Sequence, residues 1–254
     1  LCFFSSSKVY KWQNDVLYPL PEVVDKKIIS AFADRKGLLW LGTNAYGVYK
    51  ILTGRTQFAR FLEGSSQVRA PVEDKQGRIW VSNIFENRMI YCRLDLASGE
   101  LGERLYKTPH NKAIASAKGG FWIICSNNDV CYLDQAGSAA NCYAFPKGKT
   151  LGMSMCEDHL GRLVNTTTDG LFVIFDPVSR QWSYWSFAHL FNKESMPTIS
   201  HLLEDPQGGI FWIGTTDGLV EAQPAPDGSN CRFNIYNSKN GLSRQRILSL
   251  AIDP

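Results

Sequence analysis

The chain has no long apolar run, no dominant charge and few histidines, and each lack excludes something. No hydrophobic stretch approaches the length needed to cross a bilayer as a helix, so this 254-residue piece is expected to be soluble. Its 27 basic and 24 acidic residues leave a net charge of +3, too mild to imply nucleic acid or a membrane surface as partner. Without a Cys-x-x-Cys pair, zinc and redox motifs of that type are excluded. His110, His159, His189 and His201 are too far apart for a local metal motif, and neither His-Glu-x-x-His nor Gly-x-Ser-x-Gly occurs. His159 sits in a turn and is expected to be solvated, whereas His201 falls on an innermost strand. Gly148-Lys149-Thr150 ends like a phosphate-binding loop, but that motif wants Gly where Tyr143 stands. No segment carries sustained helical periodicity. The chain starts at Leu1, with neither an initiator methionine nor a signal peptide, and breaks off at Pro254 in mid-pattern, so it reads as a segment of a larger protein.

Seven cysteines is an odd count, so at least one thiol is unpaired within the chain. Cys125, Cys131, Cys142 and Cys156 lie in apolar strand-like stretches where buried free thiols are common, and most are expected to be core residues.

What the sequence does have is a repeat. Asp34-Arg35-Lys36-Gly37-Leu38-Leu39-Trp40 returns as Asp74-Lys75-Gln76-Gly77-Arg78-Ile79-Trp80, as Asp158-His159-Leu160-Gly161-Arg162-Leu163-Val164, and as Asp205 to Trp212 with Gly209 inserted. A weaker copy, Gly119-Gly120-Phe121-Trp122-Ile123, fills the gap. The marker position falls at residues 40, 80, 122, 164 and 212, giving steps of 40, 42, 42 and 48. A period near that length, with β-branched and aromatic residues throughout, predicts one four-stranded blade per repeat and hence an all-β, β-propeller fold. In blade one, Ile28 to Ala33 reads as the innermost strand. Asp34 to Gly37 is a turn, since Asp bonds back to the backbone and Gly accepts positive φ. Leu38 to Gly42 is the second strand, Gly47 to Leu52 the third and Gln57 to Leu62 the fourth. Trp40 supplies a plate to fill the wedge between blades. The boundaries read as a partial blade at 1–20, blades at 21–66, 67–108, 109–148, 149–192 and 193–240, and the start of another at 241–254, as part of a seven-bladed propeller or a tandem.

The phrase Asp-x-x-Gly-x-x-Trp-(Ile/Leu)-Gly-Thr followed by Gly-(Leu/Val), with the lead-in Tyr236-Asn237-Ser238-Lys239-Asn240-Gly241-Leu242-Ser243, resembles the two-component-regulator propeller repeat. The resemblance covers nearly the whole chain and is strongest at 34–47 and 205–219. It implies the periplasmic sensor region of a Bacteroides-type hybrid two-component system, in which tandem propellers precede an immunoglobulin-like domain, a membrane helix, a histidine kinase, a receiver and a DNA-binding domain. Such regions sense glycan-derived oligosaccharides, act as dimers and switch on polysaccharide-utilisation genes. No enzyme activity, cofactor, metal or nucleic-acid contact is expected of this segment itself.

Recurrence assigns Asp34, Gly37, Trp40, Asp74, Gly77, Trp80, Trp122, Asp158, Gly161, Asp205 and Trp212 to turns and blade packing. Glu73-Asp74, Glu157-Asp158 and Glu204-Asp205 repeat one position in different blades, so they do not converge on a single acid site. Ligand contacts are expected where return loops and second-to-third-strand turns share a face. That face should carry Asn44, Tyr46, Asn83, Phe85, Glu86, Asn87, Arg88, Asn127, Asn128, Asp129, Asp169 and Asp217, with Lys27, Arg69, Lys112, Lys149 and Arg246 from return loops. His201 would line the axis. Amides and aromatic rings suit sugars, and the cations suit acidic ones. Two departures from the repeat also point there: a longer return loop, Phe187 to Glu194, with exposed-looking aromatics, and a second-to-third-strand turn in blade two that is longer than in blade one. The competing readings are a propeller lyase or glycosidase, and an interaction scaffold without a small ligand.

Overall fold

The structure, a computed structural model, describes residues 2–4, 9–13, 16–19, 28–34, 36, 38–43, 47–51, 58–61, 69–85, 88–104, 110–134, 139–146, 148–191, 196–205, 207–239, 246–247 and 250. Contacts divide the chain into two units, one of Leu1–Ala115, Gly119–Phe121 and Tyr132–Ala140, the other of Ser116–Lys118, Trp122–Cys131 and Asn141–Pro254.

The first unit opens with a three-stranded sheet, β1 (Cys2–Phe4), β2 (Val9–Gln13) and β3 (Val16–Pro19). A four-stranded sheet follows in sequence order: β4 (Ile28–Ala33), β5 (Leu39–Thr43), β6 (Val48–Ile51) and β7 (Phe58–Phe61). The next repeats this meander with β8 (Arg69–Glu73), β9 (Ile79–Phe85), β10 (Arg88–Leu94) and β11 (Leu101–Arg104). Trp40, Val48, Ile79, Val81 and Leu94 make one buried cluster, joining the two sheets through apolar contact. The sheet of β12 (His110–Ala115), β13 (Phe121–Cys125), β14 (Val130–Leu133) and β15 (Ala139–Tyr143) is shared out between the units.

The second unit holds two complete sheets of the same kind. One is β16 (Leu151–Glu157), β17 (Leu163–Thr167), β18 (Leu171–Asp176) and β19 (Gln181–Ser186); the other is β20 (Ile199–Glu204), β21 (Phe211–Thr215), β22 (Gly218–Pro224) and β23 (Cys231–Tyr236). Val164, Phe172, Ile174, Leu202, Phe211, Ile213, Val220 and Ala222 form the core between them. No helix of the described residues is long and apolar enough to cross a membrane. Every repeat is therefore a four-stranded antiparallel blade, as its period predicts.

The repeated turn is tighter chemistry than sequence alone conveys. Asp34 Oδ1 accepts the backbone N–H groups of Lys36 and Leu38, and its Oδ2 accepts the indole N–H of Trp40 at 2.9 Å. Asp74 repeats this with Gln76, Arg78 and, at 2.8 Å, Trp80. Arg78 Nε shares Asp74 Oδ2 with the indole, and where Val164 replaces the Trp the equivalent Arg162 Nε keeps its bond to Asp158 Oδ2 at 2.7 Å. The Gly209 insertion stretches the Trp212–Asp205 bond to 3.4 Å. Gly77 and Gly161 have φ of +78° and +77°, the left-handed region the turn demands; Gly37 lies outside the described residues.

The paired carboxylates divide their labour. In two of the pairs the Asp closes its own turn while the preceding Glu, Glu157 or Glu204, reaches back to the neighbouring blade. Glu157 Oε2 accepts Ala117 N–H at 2.8 Å and Oε1 accepts the Ser116 hydroxyl at 3.0 Å. Glu204 does the same one blade on, accepting His159 N–H at 2.7 Å with its Oε1 2.6 Å from His159 Nδ1. His159 is thus solvent-exposed but held at a blade junction.

Three expectations need correction. Phe187 and Phe191 are buried, not exposed, because they fold back around a short 3-10 turn (Ala188–Leu190) into the core behind β18 and β22. The extra length in blade two lengthens strands rather than the turn: pairing continues to Phe85↔Arg88, three pairs past Ser82↔Tyr91, the equivalent of Gly42↔Val48 in blade one. The cysteines also differ from expectation, since Cys131 and Cys142 form a disulfide and Cys142 is exposed.

Candidate functional site

The second unit shows how the loop face is built. The Ser126-Asn127-Asn128-Asp129 turn carries Asn128 at φ +73°, a conformation Asn tolerates better than most residues. Its amide then acts as a clamp: Nδ2 donates to Lys149 O at 2.8 Å and Oδ1 accepts Leu151 N–H at 2.9 Å. The return segment is gripped from its other side by Thr168, whose N–H donates to Thr150 O at 3.1 Å. Lys149 then reaches across to Asp169, with Nζ–Oδ2 at 2.5 Å and both side chains nearly half exposed. Lys149 and the Thr167 hydroxyl together hold the Asp169 carboxyl below the usual carboxylate range. Asn128, half-buried, and the exposed Lys149 and Asp169 are thus brought together as one polar patch.

Blade five repeats the device with different atoms. Thr216 N–H donates to Thr198 O at 3.0 Å, and the Thr216 hydroxyl accepts Thr198 N–H at 3.1 Å. Ile247 N–H donates to Thr215 O at 2.9 Å, and Ser200 Oγ donates to Ile247 O at 2.7 Å. Gly214 leaves room for this junction, since a Cβ there would lie 2.8 Å from Ile247 Cγ2 and force it to shift. Asp217 is half-buried in the adjoining turn, its N–H bonded to Thr215 Oγ1 at 3.1 Å, and Arg246 is exposed next to Ile247. The side chain of His201 is half-buried on β20, whose pairing with β21 shifts register between Ile199 and His201. Comparable shifts mark β4, β8 and β16 near their starts, and such irregularities re-aim side chains at a sheet rim.

In the first unit less can be placed. Asn44, Tyr46, Glu86, Asn87 and Lys27 lie outside the described residues. Arg69, Asn83, Phe85 and Arg88 are placed on β8, β9 and β10 by their backbones, and their side chains lie outside the described set. Lys112 is half-buried on β12, and burial pushes its ammonium pKa below the usual lysine value. Among the described residues no group of three His, Cys, Asp or Glu side chains is disposed as a metal site.

The threonines of this face were missed from sequence. Thr168, Thr198, Thr215 and Thr216 make the hydrogen bonds that tie turns to return segments, and the Gly-Thr after the Trp signals only Thr215 among them.

No protein-family model matches the sequence, and no curated protein matches it. Solved structures do match its fold. The extracellular domain of a hybrid two-component system from B. thetaiotaomicron aligns over 98% of this chain and 35% of its own, with a TM-score of 0.66 and 20% identity. Another such domain from the same organism aligns over 90% of this chain and 38% of its own, with a TM-score of 0.65 and 18% identity. A virginiamycin B lyase from Staphylococcus aureus aligns over 93% and 79%, with a TM-score of 0.68 and 13% identity. The chain therefore spans little more than a third of the sensor structures it resembles, and what it shares with them is the architecture of repeated four-stranded blades.

Proposed function

We propose that this chain is part of the extracytoplasmic sensor region of a hybrid two-component system and binds a glycan-derived oligosaccharide on its loop face. The observation that carries the reading is the fold likeness to the two B. thetaiotaomicron extracellular domains, joined to the repeat phrase spelled by the sequence. In this reading the polar patch of Asn128, Lys149 and Asp169, with Asp217, Arg246, His201 and Lys112, donates and accepts the bonds that pyranose hydroxyls need. Asn44, Tyr46, Arg69, Phe85, Asn87 and Arg88 are proposed to complete the face in other blades. The cations would favour uronic or sulfated sugars. Closure of the blades into a ring, with neighbouring propeller and immunoglobulin-like domains and a second copy of the chain, belongs to the same proposal. Ligand binding would bias domain positions and so the attached kinase, changing transcription of polysaccharide-utilisation genes.

Calorimetry of the intact extracytoplasmic region against a panel of neutral and acidic oligosaccharides tests this. Saturable heat with at least one member is the expected result. No heat and no rise in melting temperature with any member would remove direct sugar sensing, and turnover of a member would replace the sensor with a lyase or glycosidase.

A further inference from the structure

The third blade holds a cluster of three sulfurs that the sensor reading leaves unused. Cys131 on β14 is bonded to Cys142 on β15, and the thiol of Cys125, on the other neighbour β13, lies 3.5 Å from Cys131 Sγ. Cys125 and Cys131 are six residues apart across a four-residue turn, with Cys125 N–H bonded to Asp129 O at 2.8 Å. A sheet ladder therefore presents a free thiol to a disulfide at van der Waals contact, a separation from which sulfur attack can begin.

The two ends of the cluster differ in access. Cys125 is 6% exposed, whereas Cys142 lies in an exposed position on the outer strand. We propose that this trio is an internal thiol–disulfide exchange site that moves its free thiol from a buried to an exposed position. The Cys125 thiolate attacks Cys131 Sγ, forming the Cys125–Cys131 bond as the Cys131–Cys142 bond breaks. Cys142 leaves as a thiolate and takes up the proton that Cys125 gave to solvent. One disulfide and one thiol are present before and after, so no external oxidant or reductant is consumed. The product displays at Cys142 a thiol that reacts with an external disulfide or electrophile, which Cys125 cannot reach from its own position. Burial and the neighbouring Asp129 push the Cys125 thiol up, which makes the exchange slow at neutral pH and faster as pH rises.

The test is differential alkylation of the folded protein in the absence of added thiol. Protein is incubated with a first alkylating reagent, unfolded and treated with a second, then digested with a protease that cuts before aspartate. Cuts at Asp129 and Asp134 place the three cysteines on separate peptides, so each linkage has its own mass, and fragmentation of the 134–157 peptide separates label on Cys142 from label on Cys156. The expected result is progressive first-reagent labelling of Cys142 with matching growth of a Cys125–Cys131 linked peptide. The rate should rise about tenfold per pH unit while Cys125 remains mainly protonated. In Cys125→Ser, Cys142 should stay unlabelled and the Cys131–Cys142 link intact. Labelling of Cys142 at the same rate in that variant, or a wild-type protein in which only Cys131–Cys142 linked peptide is ever recovered, would overturn the proposal. The linked-peptide measurement needs only wild-type protein, so it decides the matter even if the variant does not fold.

Discussion

Asp74 Oδ2 accepts the indole N–H of Trp80 at 2.8 Å, tying the first residue of the repeated phrase to its last. Both residues are almost wholly buried, so neither polar group can turn to water instead. The bond explains the spacing of the phrase. Three residues of turn, one connecting residue and the first residue of β9 bring position seven back over position one.

Removing the indole donor while keeping an aromatic ring should expose this coupling. Trp80→Phe is expected to lower the unfolding free energy by about 1–3 kcal/mol, since it deletes a bond to a charged acceptor along with part of a packed ring. Asp74→Ala should cost more, because Gln76 and Arg78 N–H groups lose the same acceptor. Urea titrations of the three proteins give the order directly.

Acid should act through the same carboxylate. Burial raises the Asp74 pKa, but bonds from Trp80 and Arg78 outweigh it and leave the group below its ordinary value. A carboxylate whose pKa is depressed on folding contributes stability that is fully present above its unfolded pKa. That contribution disappears as pH falls through the lower folded value. Unfolding free energies measured downward from about pH 5 should fall steeply in the wild type and less steeply in Asp74→Asn.

The backward-reaching glutamates predict energetic coupling between blades. Glu157→Gln and Ser116→Ala should each destabilise by about 0.5–2 kcal/mol, with a non-additive double mutant, because they share one bond. Additive values would mean that the contact carries no coupling. Placing the same pair of changes at sites that do not touch is the natural control.

Phe187 tests the corrected reading of the long return loop. As a fully buried ring packed on Phe191 and Phe233, it should cost about 3–5 kcal/mol on replacement by Ala. A surface contact for a partner would instead leave the melting temperature unmoved.

Lys149 and Asp169 separate binding from folding. Their pair is solvent-exposed, so Asp169→Asn should change stability by less than about 1 kcal/mol. If the patch contacts the proposed oligosaccharide, the same change should weaken binding about tenfold. Unchanged binding would move the site elsewhere on the loop face.

The repeat alone determined the four-stranded blade, because a turn signal, a buried strand and a packing aromatic recur at constant spacing, and local hydrogen bonds enforce that meander. It also marked Asp, Gly and Trp as parts of the scaffold. What it did not carry was any relation between residues of neighbouring blades. Glu157 and Glu204 read as members of acidic pairs, and only folding showed them bonded to turns about forty residues earlier in the chain. Phe187 and Phe191 read as exposed because loop position ordinarily means exposure; the 3-10 turn that folds them inward depends on a cavity supplied by two sheets. The disulfide was equally hidden, since four cysteines in similar apolar strands gave no reason to pair Cys131 with Cys142. Periodicity fixes what lies next to what along one blade, where covalent distance is short. Tertiary structure decides which distant side chains meet, and there the Glu junctions, the threonine lattice of the loop face and the three-sulfur cluster were set.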